Sequence, residues 1–325
     1  MAGVTLLNIN ENIENLEQVE ENILSIHSTS TISNIPESQI EHLTQNEREF
    51  FSRWRKSGEI STDILNFTLP NQQVIRYLVR ETYVETSRRR SNMFDDRGEI
   101  LPKAARVIVE TVQTVFFELN ERVYALLQTT NITSINKVKK LFGDYLKELD
   151  SDEEISIMNY QINPDLFYWL FYKHINHNGL IETMFEVESI AGFIGNIADE
   201  THTIRGNSDV TPTLLVTKAF VSKFHPFKSL DVLLKYRDYK LNFIFSDSSE
   251  CFIRSSCSIP NARIDKQIAS SLIIYAFIIP YLFHLFNEDE IWDQGVTKNN
   301  FAKEIGKQVI KEIADFHGLG TNDIF

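Results

Sequence analysis

The chain has 325 residues, 42% of them hydrophobic, and is therefore long enough to bury a substantial core. Its net charge of −13 argues against a protein that coats nucleic acid with its whole surface, because phosphates are neutralised by clustered Lys and Arg. Two cysteines, Cys251 and Cys257, are too few for a disulfide scaffold, and the N-terminus lacks the pattern of a secretory signal. We therefore expect a cytoplasmic protein.

The N-terminal region, residues 1–36, is predicted to be an acidic helix followed by a polar linker. Ile13, Leu16 and Val19 recur at helical spacing among glutamates. A second amphipathic helix is predicted over residues 38–56, ending before Gly58.

Residues 70–127 form the longest predicted helical region. Apolar residues recur from Val74 to Tyr83 and again from Val107 to Leu127, and a polar loop that ends at Pro102 separates the two runs. A further helix is predicted from Asn136 to Leu149. The stretch after Val210 is instead rich in β-branched residues, and residues 240–257 are predicted to form a β-hairpin.

The run from Gln267 to Asn287 contains no charged residue, so a helix here requires apolar partners on every side. Its length would also suit a membrane span, but Pro280 and His284 favour a helix buried in the core or in an oligomer interface. A last helix is predicted over Asn300–His317, followed by an extended C-terminal arm, residues 318–325. The expected fold is mainly α-helical with one small β-hairpin (α+β), and residues 37–317 are expected to form one domain.

A local excess of positive charge lies between Arg48 and Arg106. This stretch contains twelve Lys and Arg and eight Asp and Glu. With tyrosines nearby it could bind single-stranded RNA, which combines phosphate contacts with base stacking. The alternative is a solvated loop whose arginines pair with neighbouring acids. The candidate RNA-binding residues are Arg76, Arg80, Arg88, Arg89, Arg90 and Arg97.

Two groups of residues are candidates for a metal site or a catalytic site. His174, His177, Glu200 and His202 could ligate a metal, but ordinary surface histidines are the favoured interpretation. Asp209 and Lys218 resemble part of a metal-dependent nuclease site, yet Val216 stands where a second carboxylate is needed. We therefore predict no catalytic residues, no metal and no cofactor.

The arginines at 88–90, the helical pattern with one hairpin at 240–257 and the tail Asp323-Ile324-Phe325 together resemble the viroplasm matrix proteins of fijivirus-type reoviruses. The resemblance implies a mainly helical viral non-structural protein that forms dimers, assembles further through a C-terminal arm into cytoplasmic inclusion bodies, and binds single-stranded RNA.

The expected function is therefore that of a non-enzymatic, self-assembling scaffold. Its expected partners are further copies of itself, single-stranded RNA and other viral or host proteins, with no membrane. Leu319, Ile324 and Phe325 are the candidate oligomerisation residues. The alternative is a divergent metal-dependent nuclease or a helical nucleic-acid-binding regulator.

Overall fold

The protein contains as much strand as helix. In the computed structural model, 36% of the residues lie in helices and 36% in strands. The expectation of a mainly α-helical fold is therefore wrong. The structure describes residues 1–32, 35–56, 63–147, 160–197, 202–208, 210–248, 250–260, 262–293 and 295–320.

The chain divides into two compact units, which we describe separately. The N-terminal unit comprises Val4–Thr68 and Gln72–Asp150. The C-terminal unit comprises Met1–Gly3, Leu69–Asn71 and Ser151–Phe325.

The N-terminal unit is built on an antiparallel sheet in the order β1-β7-β6-β5-β3-β2, with β4 paired to β5. Asn120 and Glu121 both have positive φ and form the tight turn between β6 and β7. The strands are β1 Ala2–Asn8, β2 His27–Thr31, β3 Glu49–Arg55, β4 Leu65–Thr68, β5 Val74–Ser87, β6 Val107–Leu119 and β7 Arg122–Leu127. The helices are α1 Leu16–Gln18, α2 Glu37–Ile40, α3 Gln45–Arg48, α4 Lys103–Arg106 and α5 Ile132–Lys139.

The core of this unit centres on an aromatic cluster. Trp54 lies 5.5 Å from Phe116 and 5.3 Å from Phe142 between ring centroids. The Trp54 indole donates a hydrogen bond to the Leu141 carbonyl at 2.9 Å, so its polar atom is satisfied inside the core.

In the C-terminal unit the sheet strands are antiparallel and lie in the order β10-β9-β11-β12-β13, with β8 paired to β9. Its strands are β8 Leu180–Glu182, β9 Phe185–Ile197, β10 His202–Asn207, β11 Phe227–Tyr236, β12 Tyr239–Ser246 and β13 Glu250–Ile253. Its helices are α6 Pro164–Asn176, α7 Leu215–Ser222, α8 Lys266–Ile273, α9 Ile279–Asn287, α10 Glu290–Asp293 and α11 Val296–His317.

Helices cover one face of this sheet. Phe167 on α6 lies 5.1 Å from Phe245 on β12, and Phe171 lies 5.0 Å from Phe227 on β11. Gly195 on β9 leaves room for the ring of Phe220, which a Cβ at this position would meet at 2.2 Å.

The uncharged run forms a continuous buried helix, as predicted. It consists of α8, a π turn over Ile274–Ile278 and α9, and it is capped by the Asp265 side chain, which accepts from Gln267 N and Ile268 N. The wide π turn ends two residues before Pro280, which lacks an N–H and would clash within a regular α-helix. Lys266–Asn287 is long and apolar enough to cross a membrane, but 78% of its most apolar 18-residue stretch is buried inside the protein.

The local predictions had mixed outcomes. The hairpin is confirmed by β12 and β13, and the last helix by α11. The predicted helix over 38–56 contains two short helices and strand β3 instead. The two apolar runs within residues 70–127 form strands β5, β6 and β7 rather than long helices. The first part of the β-branched stretch, residues 211–221, lies largely in helix α7.

We predict that Ile278→Ala lowers the free energy of unfolding by roughly 2–5 kcal/mol, because its fully buried side chain would leave a cavity. Urea unfolding monitored by Trp fluorescence measures this loss. His284→Ala, in the same helix with its side chain 57% exposed, is the control and should change the stability by less than about 0.5 kcal/mol. Equal effects of the two substitutions would contradict the burial of this helix.

Candidate nucleic-acid interface

The candidate interface begins where β5 ends. Arg88, Arg89 and Arg90, here called the arginine segment, follow Ser87 and lead into a 3₁₀ turn over Arg90–Asn92. The Arg88 N–H donates to the Arg106 carbonyl at 2.8 Å, so the segment starts in a fixed position. Farther on, the Asp95 carboxylate accepts from Arg97 N at 2.9 Å and from Glu99 N at 2.8 Å, closing a compact turn.

Arg106 holds this loop against the rest of the unit. It is fully buried, and its guanidinium donates from Nε to the Leu101 carbonyl at 2.6 Å and from Nη2 to the Glu47 carbonyl at 2.8 Å. Burial lowers the pKa of Arg106, while the Glu47 carboxylate acts in the opposite direction. Met93 packs nearby in a small cluster with Ile32, Ile35 and Phe50.

Four of the six predicted RNA-binding side chains are available to a ligand. Arg88, Arg89, Arg90 and Arg97 are exposed, and none forms an ion pair with any residue that the structure describes. The alternative in which these arginines pair with Asp95, Asp96 and Glu99 is therefore not seen in the described part of the chain. Three adjacent, solvated guanidiniums can each contact a phosphate.

The other two predicted side chains are already engaged. Arg76 pairs with Glu17 and, at 3.2 Å, with Glu118. Arg80 is 5% exposed and pairs with Glu20 at 2.5 Å. Burial lowers the pKa of Arg80, whereas the charges of Glu20 and Asp63 and the hydrogen bond to Glu20 raise it. Both arginines therefore hold the acidic N-terminal region to the sheet, and we remove them from the candidate interface.

Strand β5 carries an aromatic side chain, Tyr83, five residues before the arginine segment, about 17 Å along an extended strand. Tyr83 on β5 is paired in register with Arg53 on β3, and the guanidiniums of Arg53 and Arg55 lie 5.6 and 5.5 Å from the centre of its ring. Burial and then the neighbouring Glu85 carboxylate raise the pKa of Tyr83, so its hydroxyl stays protonated at neutral pH.

A second aromatic group borders this face. The ammonium of Lys103 lies 4.4 Å from the centre of the Phe51 ring and 2.8 Å from Glu85. Burial raises the pKa of Glu85, but the hydrogen bonds from Lys103 and Phe51 N outweigh it, so the net shift is downward. Glu85 is therefore a carboxylate that offsets Lys103, whereas the arginine segment carries positive charge without an acidic partner among the described residues.

The sequence analysis did not predict this sheet face, because it assigned helices to both strands. Phe51, Arg53 and Arg55 alternate along β3, and Tyr83 and Glu85 alternate along β5. A period of two, read in place of the helical period, would have placed these side chains on one surface.

The alternative sites gain no support from the described residues. His174 Nδ1 lies 3.2 Å from the Val187 carbonyl, and no group of three or more His, Cys, Asp or Glu in the described part could hold a metal. Lys218 lies on helix α7 and pairs with Glu312. Glu200 and Asp209 lie outside the described residues.

The C-terminal candidates are only partly described. Gly318 adopts a left-handed conformation and Leu319 N donates to the Ala314 carbonyl at 2.9 Å, which caps helix α11. Leu319 is 43% exposed. Ile324 and Phe325 lie outside the described residues.

In comparisons with known proteins, no family model matches the chain, and no curated protein matches it.

We predict that Arg106→Ala loosens the loop that carries the arginine segment, because the carbonyls of Leu101 and Glu47 lose their buried donor. Hydrogen–deuterium exchange should show faster exchange at the amides of Met93 and Leu101. Arg97→Ala removes an exposed arginine of the same loop and should leave these amides unchanged. Unchanged exchange at both amides in Arg106→Ala would show that Arg106 does not anchor the loop.

Proposed function

We propose that the protein is a non-enzymatic binder of single-stranded RNA. The proposed contact surface consists of the arginine segment and the sheet face that carries Tyr83 and Phe51. The observation that carries this proposal is the set of three consecutive exposed arginines without acidic partners among the described residues, beside a sheet face with aromatic rings. The resemblance to viroplasm proteins drew partly on a helical pattern that the fold does not have, so the proposal rests on these side chains.

The chemistry of the surface favours a single strand over a duplex. Tyr83 is half-buried, and a ring on a sheet surface can stack only on a base that is not already paired. The arginine segment supplies phosphate contacts at one end of this face. Because the whole chain carries a net charge of −13, long-range attraction is weak and affinity depends on these local contacts.

The triple substitution Arg88→Ala, Arg89→Ala and Arg90→Ala should weaken binding of oligouridine and lower the steepness of its salt dependence by about 2 in log–log slope, the value expected for three lost single-strand phosphate contacts. Fluorescence anisotropy titrations at several salt concentrations measure both quantities.

The matched control removes three cations elsewhere. Lys303, Lys307 and Lys311 on helix α11 are exposed, and their joint replacement by Ala changes the net charge equally. This control should keep both the affinity and the slope. An equal loss in both triple variants would show that only net charge matters, and no binding by the unmodified protein would exclude the proposal.

Self-association is a second candidate function, and an exposed apolar patch favours it. Phe316 near the end of α11 is 84% exposed and Ile313 is 42% exposed, while Val216 on the adjoining helix α7 is 60% exposed. Lys218 and Glu312 pair between these two helices, so the apolar residues share one end of the helix pair. We propose that a second copy of the chain covers this patch, together with the C-terminal residues Leu319, Ile324 and Phe325.

We expect Phe316→Ser to reduce the molar mass measured by light scattering, because an exposed aromatic ring contributes to an interface roughly in proportion to the apolar area it buries. Deletion of residues 318–325 should have the same effect if the C-terminal residues take part. Lys311→Ser, on the same helix, is the control. A mass that is unchanged in both variants would contradict self-association at this end of α11.

A further inference from the structure

A cavity of the C-terminal unit lies on the sheet face that the aromatic core does not occupy. Along β12, Leu241, Phe243 and Phe245 are buried in the core, whereas Ile244 and Ser246 alternate with them and line the cavity. The cavity has a volume of about 600 Å³, which is within the range of small-molecule sites.

The strand register arranges the cavity floor in two rows. In the first row Arg205, Ile194, Ser229 and Ser246 are neighbours on successive strands, and in the second row Asn207, Gly192, Asp231, Ile244 and Phe252 are neighbours. Apolar side chains of Ile194, Ile244 and Phe252 therefore lie among polar ones. This mixture suits a ligand with an apolar body and a polar group.

Most charges in the cavity neutralise one another. Asp231, whose side chain is only 7% exposed, accepts two hydrogen bonds from Arg254, one of them at 3.3 Å from Nε. Lys228 pairs with Asp247 at 3.2 Å. Because these four groups are occupied with each other, they contribute fixed polarity and leave little net charge.

Two charged groups remain outside these pairs. Arg205 is exposed and forms no ion pair with the residues that the structure describes, and Glu250 is half-buried on β13. Burial raises the pKa of Glu250. Arg205 is therefore the one cationic side chain of the cavity that has no ion-pair partner among the described residues.

A buried hydroxyl without a partner lies next to Arg205 in the same row. Ser229 is 6% exposed, and its Oγ has no hydrogen-bond partner among the described atoms. Only Ile194 separates the two residues, so their Cα atoms are about 10 Å apart, two strand spacings. An arginine side chain can span most of this distance, and an oxygen bound over Ile194 would lie within reach of both groups. A buried hydroxyl is rarely left unpaired, which makes Ser229 a second and independent sign of a ligand.

We propose that this cavity binds a small organic anion, a carboxylate or a phosphate ester, whose oxygens contact Arg205 and Ser229 and whose apolar body lies on Ile194, Ile244 and Phe252. This site is separate from the proposed RNA-binding surface, because every residue that lines it belongs to the C-terminal unit.

Ligand-observed NMR titrations of the full chain test the proposal with simple probes. Phenyl phosphate and benzoate share an aromatic body and differ in the anionic group, so their relative affinities distinguish a phosphate site from a carboxylate site. Benzyl alcohol has the body without the charge and should bind at least about tenfold more weakly than the better anion, because a charge-assisted hydrogen bond is lost. Inorganic phosphate has the charge without the body and should also bind more weakly.

Substitutions then assign the contacts. Arg205→Gln should weaken the better anion roughly tenfold or more, and because Arg205 is exposed this variant should fold normally. Ser229→Ala should weaken it about fivefold without loss of thermal stability, because no hydrogen bond within the described protein is removed. Arg263→Gln removes an exposed arginine that does not line the cavity and should leave the affinity unchanged.

Three results would overturn the proposal. These are failure of both anions to bind, equal binding of benzyl alcohol, and unchanged affinity in Arg205→Gln. The triple substitution in the arginine segment should leave phenyl phosphate and benzoate binding intact, so loss of the RNA-binding function and loss of this site are measured separately.

Discussion

Burial of an uncharged helix is the constraint on which the C-terminal unit depends. Every side of Lys266–Asn287 needs an apolar partner, and the aromatic side chains of the sheet supply part of this surface, as in the 4.9 Å contact between Tyr236 and Phe277. Even the serines of this helix are satisfied internally, since Ser270 and Ser271 donate to the carbonyls of Lys266 and Gln267 at 2.8 Å. Because the core uses one face of the strands, polar residues are left to the other face, where the cavity lies.

The elements that could be predicted from the sequence are those whose pattern has a single interpretation. The uncharged run, the hairpin and the last helix belong to this class, because composition or turn residues decide between helix and strand. Strand β5 is different, since Tyr77, Leu78 and Val79 are consecutive and all buried. A strand covered on both faces loses its alternation, and the remaining apolar positions then also match helical spacing. The β-branched content of the region was the better indicator of strand.

The candidate interface was predictable only as far as local sequence determines exposure. Arg88, Arg89 and Arg90 follow a strand end and are exposed, as expected for a polar loop. Arg76 and Arg80 have equal charge but lie within β5, where they reach Glu17 and Glu20 near the N-terminus. These ion pairs join residues about sixty positions apart in the chain, and a count of local charges contains no information about such pairs.

Because such pairs are not visible in the composition, the net charge of the chain does not predict either proposed site. Acidic side chains neutralise Arg76 and Arg80 in one unit and Lys228 and Arg254 in the other, so these four cations are engaged within the protein. Each of these pairs has at least one partly exposed partner, so it contributes little net stability, but it fixes the position of the two side chains. Arg88, Arg89, Arg90 and Arg205 are among the arginines that have no acidic partner in the described part of the chain, and all four are exposed. Their position beside sheet faces, and not their number, is what gives each surface a distinct ligand chemistry.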